Sequence, residues 1–162
     1  FDGVWVEDIG YLFSDNGQDA MGGDFPDEEV NLLVEGADYG WLTESSDDPN
    51  PEGTEAPLAR WEPHTSLNGL ALRPSNSALP GDEHTVYGTV YGSWATLLPQ
   101  GHQIVKIDFT QTDDGWQGVT TVFAEYVGTP LPITFGPDGD LYYATFDNGG
   151  GLYRVTEIPS IL

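Results

Sequence analysis

The chain has 162 residues, the length of roughly one domain, with 27 acidic residues against four basic ones and a formal net charge of −23. This balance excludes a nucleic-acid-binding role and disfavours anionic membrane surfaces, because no basic patch is available to meet phosphates. The 38% hydrophobic content, with 21 Gly and 12 Pro, favours a folded, turn-rich β protein over a disordered or helical one.

The extreme acidity has two interpretations. Self-repulsion on this scale lowers stability unless salt or bound cations screen it, so the chain is either halophilic or built around calcium sites. Adaptation to salt explains scattered acids but not a dense cluster. Cysteine is absent, which excludes disulfides and thiolate metal sites. No apolar run approaches the roughly 20 residues of a membrane-spanning helix, so no membrane span is predicted.

Short β-strands are predicted along the chain, and no amphipathic helix of ten or more residues is visible. In chain order, the strands lie within FDGVWVEDIG (1–10), EVNLLV (29–34), NGLAL (68–72), GDEHTVYGTVYG (81–92), QIVKIDF (103–109), PLPITF (130–135), DLYYATF (140–146) and GLYRVTEI (151–158). In QIVKIDF, period-2 alternation places Val105, Ile107 and Phe109 on one face and Ile104, Lys106 and Asp108 on the other.

These strands form a repeat of turn, aromatic strand and polar break. Val86 and Leu141 hold equivalent places 55 residues apart, and repeats of roughly this length indicate propeller blades. The triplet at 1–3 aligns with the triplet at 137–139, so the chain is expected to begin partway through a blade. We therefore predict an all-β partial β-propeller of about three four-stranded blades, with residues 1–162 forming one C-terminal fragment. The alternative is a complete small β-sandwich or meander.

The segment TESSDDPNPEGTEAP, residues 43–57, has the composition of a loop. We expect it to be an insertion between blades, either a solvated linker or a cover over the propeller mouth.

Carboxylates and glycines cluster between residues 15 and 31, in DNGQDAMGGDFPDEEVN. Clustered carboxylates repel one another unless a cation neutralises them, and calcium takes six to eight such oxygens. The spacing is not that of an EF-hand, so a calcium loop and a solvated acidic loop both remain open. Asn31 is unusual within a strand and is expected either to cap a turn or, more commonly, to form a hydrogen bond inside the blade. Tyr39 and Trp41 are expected to be core aromatics.

No other motif predicts a particular chemistry. His64, His84 and His102 are too widely spaced for a zinc site, and no nucleophile elbow, phosphate loop or dinucleotide fingerprint occurs.

Four stretches together resemble the soluble glucose/sorbosone dehydrogenases, six-bladed propellers that depend on pyrroloquinoline quinone (PQQ). They are DNGQD…DEEVNLLVEGADYGW, HTSLNGLAL, VYGTVYGSW…GHQIVKIDF and GTPLPITFGPDGDLYYATFDNGGGLYRV. The last two are most similar to the sorbosone dehydrogenase branch. The resemblance covers nearly the whole chain and implies PQQ and Ca²⁺ as cofactors, a sugar or polyol substrate, and an extracellular or periplasmic location.

The resemblance also implies roles for particular residues. The backbone carbonyls of Gly17 and Gln18 would face the calcium that holds the quinone, and Glu28 would lie near the cofactor. The Glu29 carboxylate and the Tyr39 carbonyl would hold a second, structural calcium.

The chain departs from the family pattern at several places. Gln18 stands where the family has Pro, and about six extra residues lengthen the loop that follows. Ala95 and Thr96 replace an Asn-Arg pair, and Thr129 replaces Arg, so no basic residue is present at either place to meet the quinone carboxylates.

The catalytic His and an Arg-Asn pair of the family lie in earlier blades, so catalysis by this chain alone is not predicted. The first hypothesis is the C-terminal part of a PQQ- and calcium-dependent sugar dehydrogenase-like propeller, whose partners are the remaining N-terminal blades of the parent chain. The alternative is a non-catalytic, calcium-stabilised propeller that binds carbohydrate or protein. A third is an acidic secreted β module without a ligand.

Overall fold

The computed structural model describes residues 1–18, 25–93, 100–147 and 149–156, and these residues form eleven strands and no helix. The strands are β1 (Gly3–Val6), β2 (Gly10–Asp15), β3 (Glu28–Leu32), β4 (Ala59–Trp61), β5 (Leu67–Leu72), β6 (Thr85–Val90), β7 (Gln103–Thr112), β8 (Gly115–Ala124), β9 (Pro130–Phe135), β10 (Leu141–Thr145) and β11 (Gly151–Val155). The expected all-β class is confirmed. No helix long and apolar enough to cross a membrane is found in this part of the chain.

The strands form three antiparallel sheets in which sequence neighbours pair. The orders are β1-β2-β3-β4, β5-β6-β7-β8 and, for the described residues, β9-β10-β11. The leading strands β1, β5 and β9 contact one another in succession, as the inner strands of propeller blades do. The predicted partial β-propeller architecture is therefore confirmed.

The alignment of the two Asp-Gly triplets is wrong. Gly3 begins the first strand of a four-stranded sheet, whereas Gly139 lies in the turn between β9 and β10. The first sheet thus contains four strands, and the expectation that it would be only part of a blade is not met.

Three strands, β2, β4 and β8, were not predicted. The β4 strand has only three residues, too few to reveal a period. The β8 strand lies at the outer edge of its sheet, and Thr, Gln and Gly interrupt its apolar residues. Edge strands need little burial, so they leave a weak hydrophobic pattern.

Two hydrophobic clusters hold the three sheets together. Val105, Ile107 and Phe109 of β7 join the cluster between the first and second sheets, whereas Ile104 joins the one between the second and third. The alternation predicted for this strand is confirmed. Tyr87 is fully buried in the second cluster, and its hydroxyl donates a hydrogen bond to the Pro80 carbonyl at 2.7 Å.

Polar side chains complete the seams between sheets at a bulge in β5. The register of β5 shifts between Leu67 and Leu70, which leaves backbone groups without partners in their own sheet. The Ser14 hydroxyl donates to the Asn68 carbonyl at 2.7 Å, and the Leu70 amide donates to the Asp2 carboxylate at 3.2 Å. Side chains of the first sheet therefore bind the backbone of the second.

The same device recurs between the second and third sheets. The Thr89 hydroxyl accepts a hydrogen bond from the Gly69 amide at 2.9 Å and donates one to the Leu131 carbonyl at 2.6 Å. A Cβ on Gly69 would lie only 2.5 Å from that carbonyl oxygen, so glycine permits the close approach of β5 and β9.

Residues 43–57 belong to the connection from β3 to β4, two neighbouring strands of the first sheet. They therefore do not connect two sheets, as was expected. The connection is held by hydrogen bonds. The Glu55 amide donates to the Asp38 carbonyl at 2.8 Å, and the Arg60 Nη2 donates to the Asn50 Oδ1 at 2.9 Å. This segment is therefore anchored to the sheet and is not a free linker.

We predict that Ser14→Ala lowers the free energy of unfolding by about 1–3 kcal/mol, because it leaves the Asn68 carbonyl buried without its donor. Urea denaturation monitored by tryptophan fluorescence measures the change. Ser46→Ala, in the exposed part of the β3–β4 connection, is the control and should change stability little. Equal effects of the two substitutions would contradict a role of Ser14 in the seam.

Candidate functional site

The candidate site is built around two adjacent glutamates of β3. Successive side chains of a strand point to opposite faces, so Glu28 and Glu29 leave the strand in opposite directions. Glu28 points toward the second sheet, and Glu29 points to the other face, beneath the β3–β4 connection. Only 2% of Glu28 and 7% of Glu29 is exposed, so each carboxylate must be neutralised inside the protein.

Glu28 is bound by backbone amides. Its Oε1 accepts a hydrogen bond from the Ser66 amide at 3.0 Å. The Asn16 side-chain amide is oriented so that both its nitrogen and its oxygen have hydrogen-bond partners. In this orientation the Asn16 nitrogen donates to Glu28 Oε2 at 3.0 Å. Burial raises the pKa of Glu28, while hydrogen bonds from the backbone of Ser66, Thr65 and Gly17 act in the opposite direction. The Glu28 carboxylate therefore serves to bind the protein backbone.

Glu29 belongs to a cross-strand triplet. The register pairs Asp15 of β2 with Glu29, and Glu29 with Arg60 of β4, so the three side chains share one face. Arg60 Nη1 lies 2.9 Å from Glu29 Oε1 and 3.6 Å from Asp27 Oδ2. Asn31, two residues along β3, donates from Nδ2 to Glu29 Oε2 at 3.2 Å, which confirms the expected hydrogen bond within the blade.

An acidic pocket opens above this triplet. Its lining residues are Asp15, Asn16, Gly17, Asp27, Glu29, Tyr39, Trp41 and Glu44. It therefore joins the end of β2 to the first part of the β3–β4 connection, and it contains three of the five predicted site residues, namely Gly17, Glu29 and Tyr39. Within the described residues, however, no group of three His, Asp or Glu side chains is arranged so that it could hold a metal ion.

The two aromatic residues of the pocket behave differently. The Tyr39 hydroxyl donates to the Leu32 carbonyl at 2.9 Å, and its ring meets Phe13 edge-on at 5.2 Å. Tyr39 is therefore packed on the sheet, as expected. Trp41 is 54% exposed, so its assignment as a core aromatic is wrong. Trp41 lines the pocket instead.

The pocket carries more negative charge than Arg60 neutralises. Burial raises the pKa of Glu29 to about 7, and Glu44 and Asp15 add to this effect, while Arg60 and the Asn31 amide oppose it. Burial also raises the pKa of Asp15 and of Glu44. The effect of burial outweighs the ion pair, and added positive charge would be favourable here.

Gly17 and Gln18 lie at the end of β2, beside the pocket. A Cβ on Gly17 would lie 2.5 Å from Pro26 Cγ and 3.0 Å from the Pro26 carbonyl oxygen, so only glycine allows this close packing. Gln18 Nε2 is buried and has no hydrogen-bond partner among the described residues. Residues 19–24, which include most of the lengthened loop, lie outside the described residues.

The positions that lack the family's basic residues are not compensated in the described part of the chain. The Thr129 hydroxyl donates to Asp147 Oδ1 at 3.1 Å, and Ala95 and Thr96 lie outside the described residues. Arg60 was not predicted as a site residue. Its position opposite Glu29 depends on the pairing of β3 with β4, and β4 is too short to be recognised in the sequence.

Comparison with known proteins identifies the fold. No family model matches the chain. An uncharacterized protein of Borreliella burgdorferi is 25% identical over 166 residues, which cover 88% of this chain and 42% of that protein.

Solved structures are similar over nearly the whole chain. A putative oxidoreductase (glucose dehydrogenase) of Thermus thermophilus superimposes with a TM-score of 0.70 at 19% identity, covering 94% of this chain and 44% of that one. The PQQ-bound aldose sugar dehydrogenase of Streptomyces coelicolor gives 0.64 at 18% identity, covering 96% and 41%. The calcium structure of a Trichoderma reesei AA12 enzyme gives 0.64 at 17% identity, covering 91% and 49%.

This chain therefore spans less than half the length of each of these proteins. The similarity establishes the fold as part of a propeller of the kind found in soluble sugar dehydrogenases. It does not single out the sorbosone branch.

We predict that the stability of the metal-free protein falls as the pH rises from about 5 to 8. The folded state holds the Glu29 proton up to a pKa of about 7, whereas the unfolded chain releases it near the ordinary value of 4.5, so deprotonation favours unfolding. The loss attributable to Glu29 is on the order of 3 kcal/mol. Urea denaturation in a chelator at constant ionic strength measures it. Glu29→Gln should flatten this dependence, and an unchanged dependence in that variant would contradict the assignment.

Proposed function

We propose that this chain is the C-terminal part of a six-bladed propeller that binds calcium and PQQ and oxidises an aldose or a similar polyol-derived sugar. One observation carries the proposal: Gly17, a predicted ligand of the cofactor calcium, lines an acidic pocket together with Asp15, Asp27 and Glu44. The fold adds support, because solved structures with this fold include a PQQ-bound aldose sugar dehydrogenase and a calcium-containing enzyme.

The cofactor calcium would be held by the backbone carbonyls of Gly17 and Gln18. Calcium prefers hard oxygen ligands, and the excess negative charge of Asp15, Asp27 and Glu44 favours a cation nearby. The close packing of Gly17 on Pro26 fits this role, because it fixes the backbone from which the first carbonyl would project. When bound, PQQ would supply the two-electron acceptor for sugar oxidation.

The contribution of the chain's own residues is positioning. Glu28 was predicted to lie near the cofactor, and we now propose that it acts through the backbone. Its carboxylate accepts a hydrogen bond from the Ser66 amide, and the Gly17 backbone is among the groups that lower its pKa. It would thereby hold the calcium-binding loop against the second sheet. The base that removes the sugar hydroxyl proton would come from the remaining blades.

The remaining blades are the proposed partner of this chain. Large apolar side chains are exposed on its two outer sheets, among them Trp5 at 61% on the first and Leu152 at 77% on the third. Further blades packed against these two sheets would bury such residues and close the ring. We propose an extracellular or periplasmic location, as the resemblance implies.

A specific observation favours the alternative, a non-catalytic propeller stabilised by calcium that binds carbohydrate or protein. All four basic residues of the chain already have partners. Arg60 binds Glu29, Arg73 binds the carbonyls of Ser77 and Leu79, Lys106 binds Asp108, and Arg154 binds Asp138 and Asp140. None is therefore free to pair with the quinone carboxylates, and a catalytic propeller would have to supply those contacts from its other blades.

The enzymatic proposal predicts that the full-length parent protein binds PQQ saturably and only with calcium, and that an aldose then reduces the bound quinone. Quinone absorbance and reduction of an electron-acceptor dye measure the two steps. Gly17→Ala should weaken PQQ binding at least about tenfold, because the added Cβ forces the loop away from Pro26. Ser46→Ala, at an exposed position of the β3–β4 connection, is the control and should leave PQQ binding unchanged.

The outcomes separate the two functions. Calcium-dependent thermal stabilisation without any PQQ binding would overturn the enzymatic proposal in favour of the non-catalytic propeller. Protein that responds to neither calcium nor PQQ would contradict both.

A further inference from the structure

We propose that the Arg60 guanidinium is the resident cation of the acidic pocket, occupying the place beside Glu29 at which the family resemblance predicts a structural calcium. The chain would then carry its own positive charge at this position and would not need a divalent ion there. This inference concerns only the Glu29 side of the pocket and does not depend on PQQ binding at Gly17 and Gln18.

The geometry holds the guanidinium firmly. The sheet register sets Arg60 directly opposite Glu29, and its Nη1 lies 2.9 Å from Glu29 Oε1 and 3.6 Å from Asp27 Oδ2. Its Nη2 donates to Asn50 Oδ1 at 2.9 Å, which fixes the other arm of the planar fork. Several directed contacts to one rigid, permanently charged group form a specific site and not a chance surface pair.

The pair is also largely removed from water. The Glu29 side chain is 10% exposed and that of Arg60 is 27% exposed. In such surroundings a carboxylate without a partner is costly, whereas an exposed ion pair contributes little. Arg60 is thus expected to stabilise the folded state more than a surface arginine does.

Calcium would meet a Glu29 carboxylate whose two oxygens both already have partners. Oε1 is taken by Arg60, and Oε2 accepts the hydrogen bond from Asn31. Across the described residues no three acidic or imidazole side chains are arranged to hold a metal ion. An ion at this position would have to displace the guanidinium first, and both carry positive charge. The two are therefore alternatives for one place.

Thermal unfolding of four forms of the full-length parent protein tests the inference: the unmodified protein, Arg60→Gln, Arg60→Lys and the control Arg154→Gln. Arg154 is also paired with two carboxylates, Asp138 and Asp140, but it lies on the third sheet with a half-exposed side chain. Each protein is melted in a chelator and in excess calcium, with sodium chloride adjusted to constant ionic strength so that general screening of the acidic surface cancels.

We expect Arg60→Gln to lower the Tm in chelator by at least about 5 °C more than Arg154→Gln does, because it leaves Glu29 buried without its cation. Calcium should recover at least half of that loss, Arg60→Lys should lose less than Arg60→Gln, and adding Glu29→Gln to Arg60→Gln should abolish the recovery.

Three results would overturn the inference. The first is a calcium gain in the unmodified protein that Glu29→Gln abolishes, because the ion would then already occupy this place. The second is an equal Tm loss in Arg60→Gln and Arg154→Gln. The third is a loss in Arg60→Gln that calcium does not reduce. A calcium gain that Glu29→Gln leaves unchanged but Gly17→Ala abolishes would instead report the proposed cofactor site, so the two proposals can fail separately.

Discussion

The site depends on the burial of two neighbouring carboxylates on one strand. The pleat of β3 sends Glu28 and Glu29 to opposite faces, so two charges that are adjacent in sequence do not share an environment. Glu28 accepts a hydrogen bond from the Ser66 amide, directly before β5 of the next sheet, and Glu29 pairs with the guanidinium of Arg60. Strand geometry therefore separates the two adjacent carboxylates, and protein groups serve as partners for both of them without a metal ion.

Each carboxylate also organises a larger part of the fold. Glu28 belongs to a polar seam in which side chains of the first sheet bind the bulged backbone of β5, together with Ser14 and Asp2. Glu29 and Arg60 anchor the connection between β3 and β4, because Arg60 also binds Asn50. The strand β3 thus links the polar seam to the β3–β4 connection, and the pocket lies beside this strand.

The sequence predicted the sheets well because aromatic and apolar residues alternate in strands such as β7, and because turn residues separate the repeats. It did not predict β4 or β8, since three residues carry no period and an exposed edge strand needs no apolar face. Of the residues that line the pocket, the family resemblance named Gly17, Glu29 and Tyr39, whose role as ligands stays a prediction. The sequence did not predict Arg60 or the seam role of Glu28, because cross-strand register and contacts between sheets depend on tertiary structure that local patterns do not contain.

The central claim is that Arg60, and not a calcium ion, is the cation beside Glu29. A structure from crystals grown in calcium, with bound ions identified by anomalous scattering, tests this claim most directly. We expect the Glu28 carboxylate to accept a hydrogen bond from the Ser66 amide and Arg60 to remain within hydrogen-bond distance of Glu29. No ion should lie between Glu29 and the Tyr39 carbonyl. A calcium ion bound by those two residues, with Arg60 displaced into solvent, would contradict it.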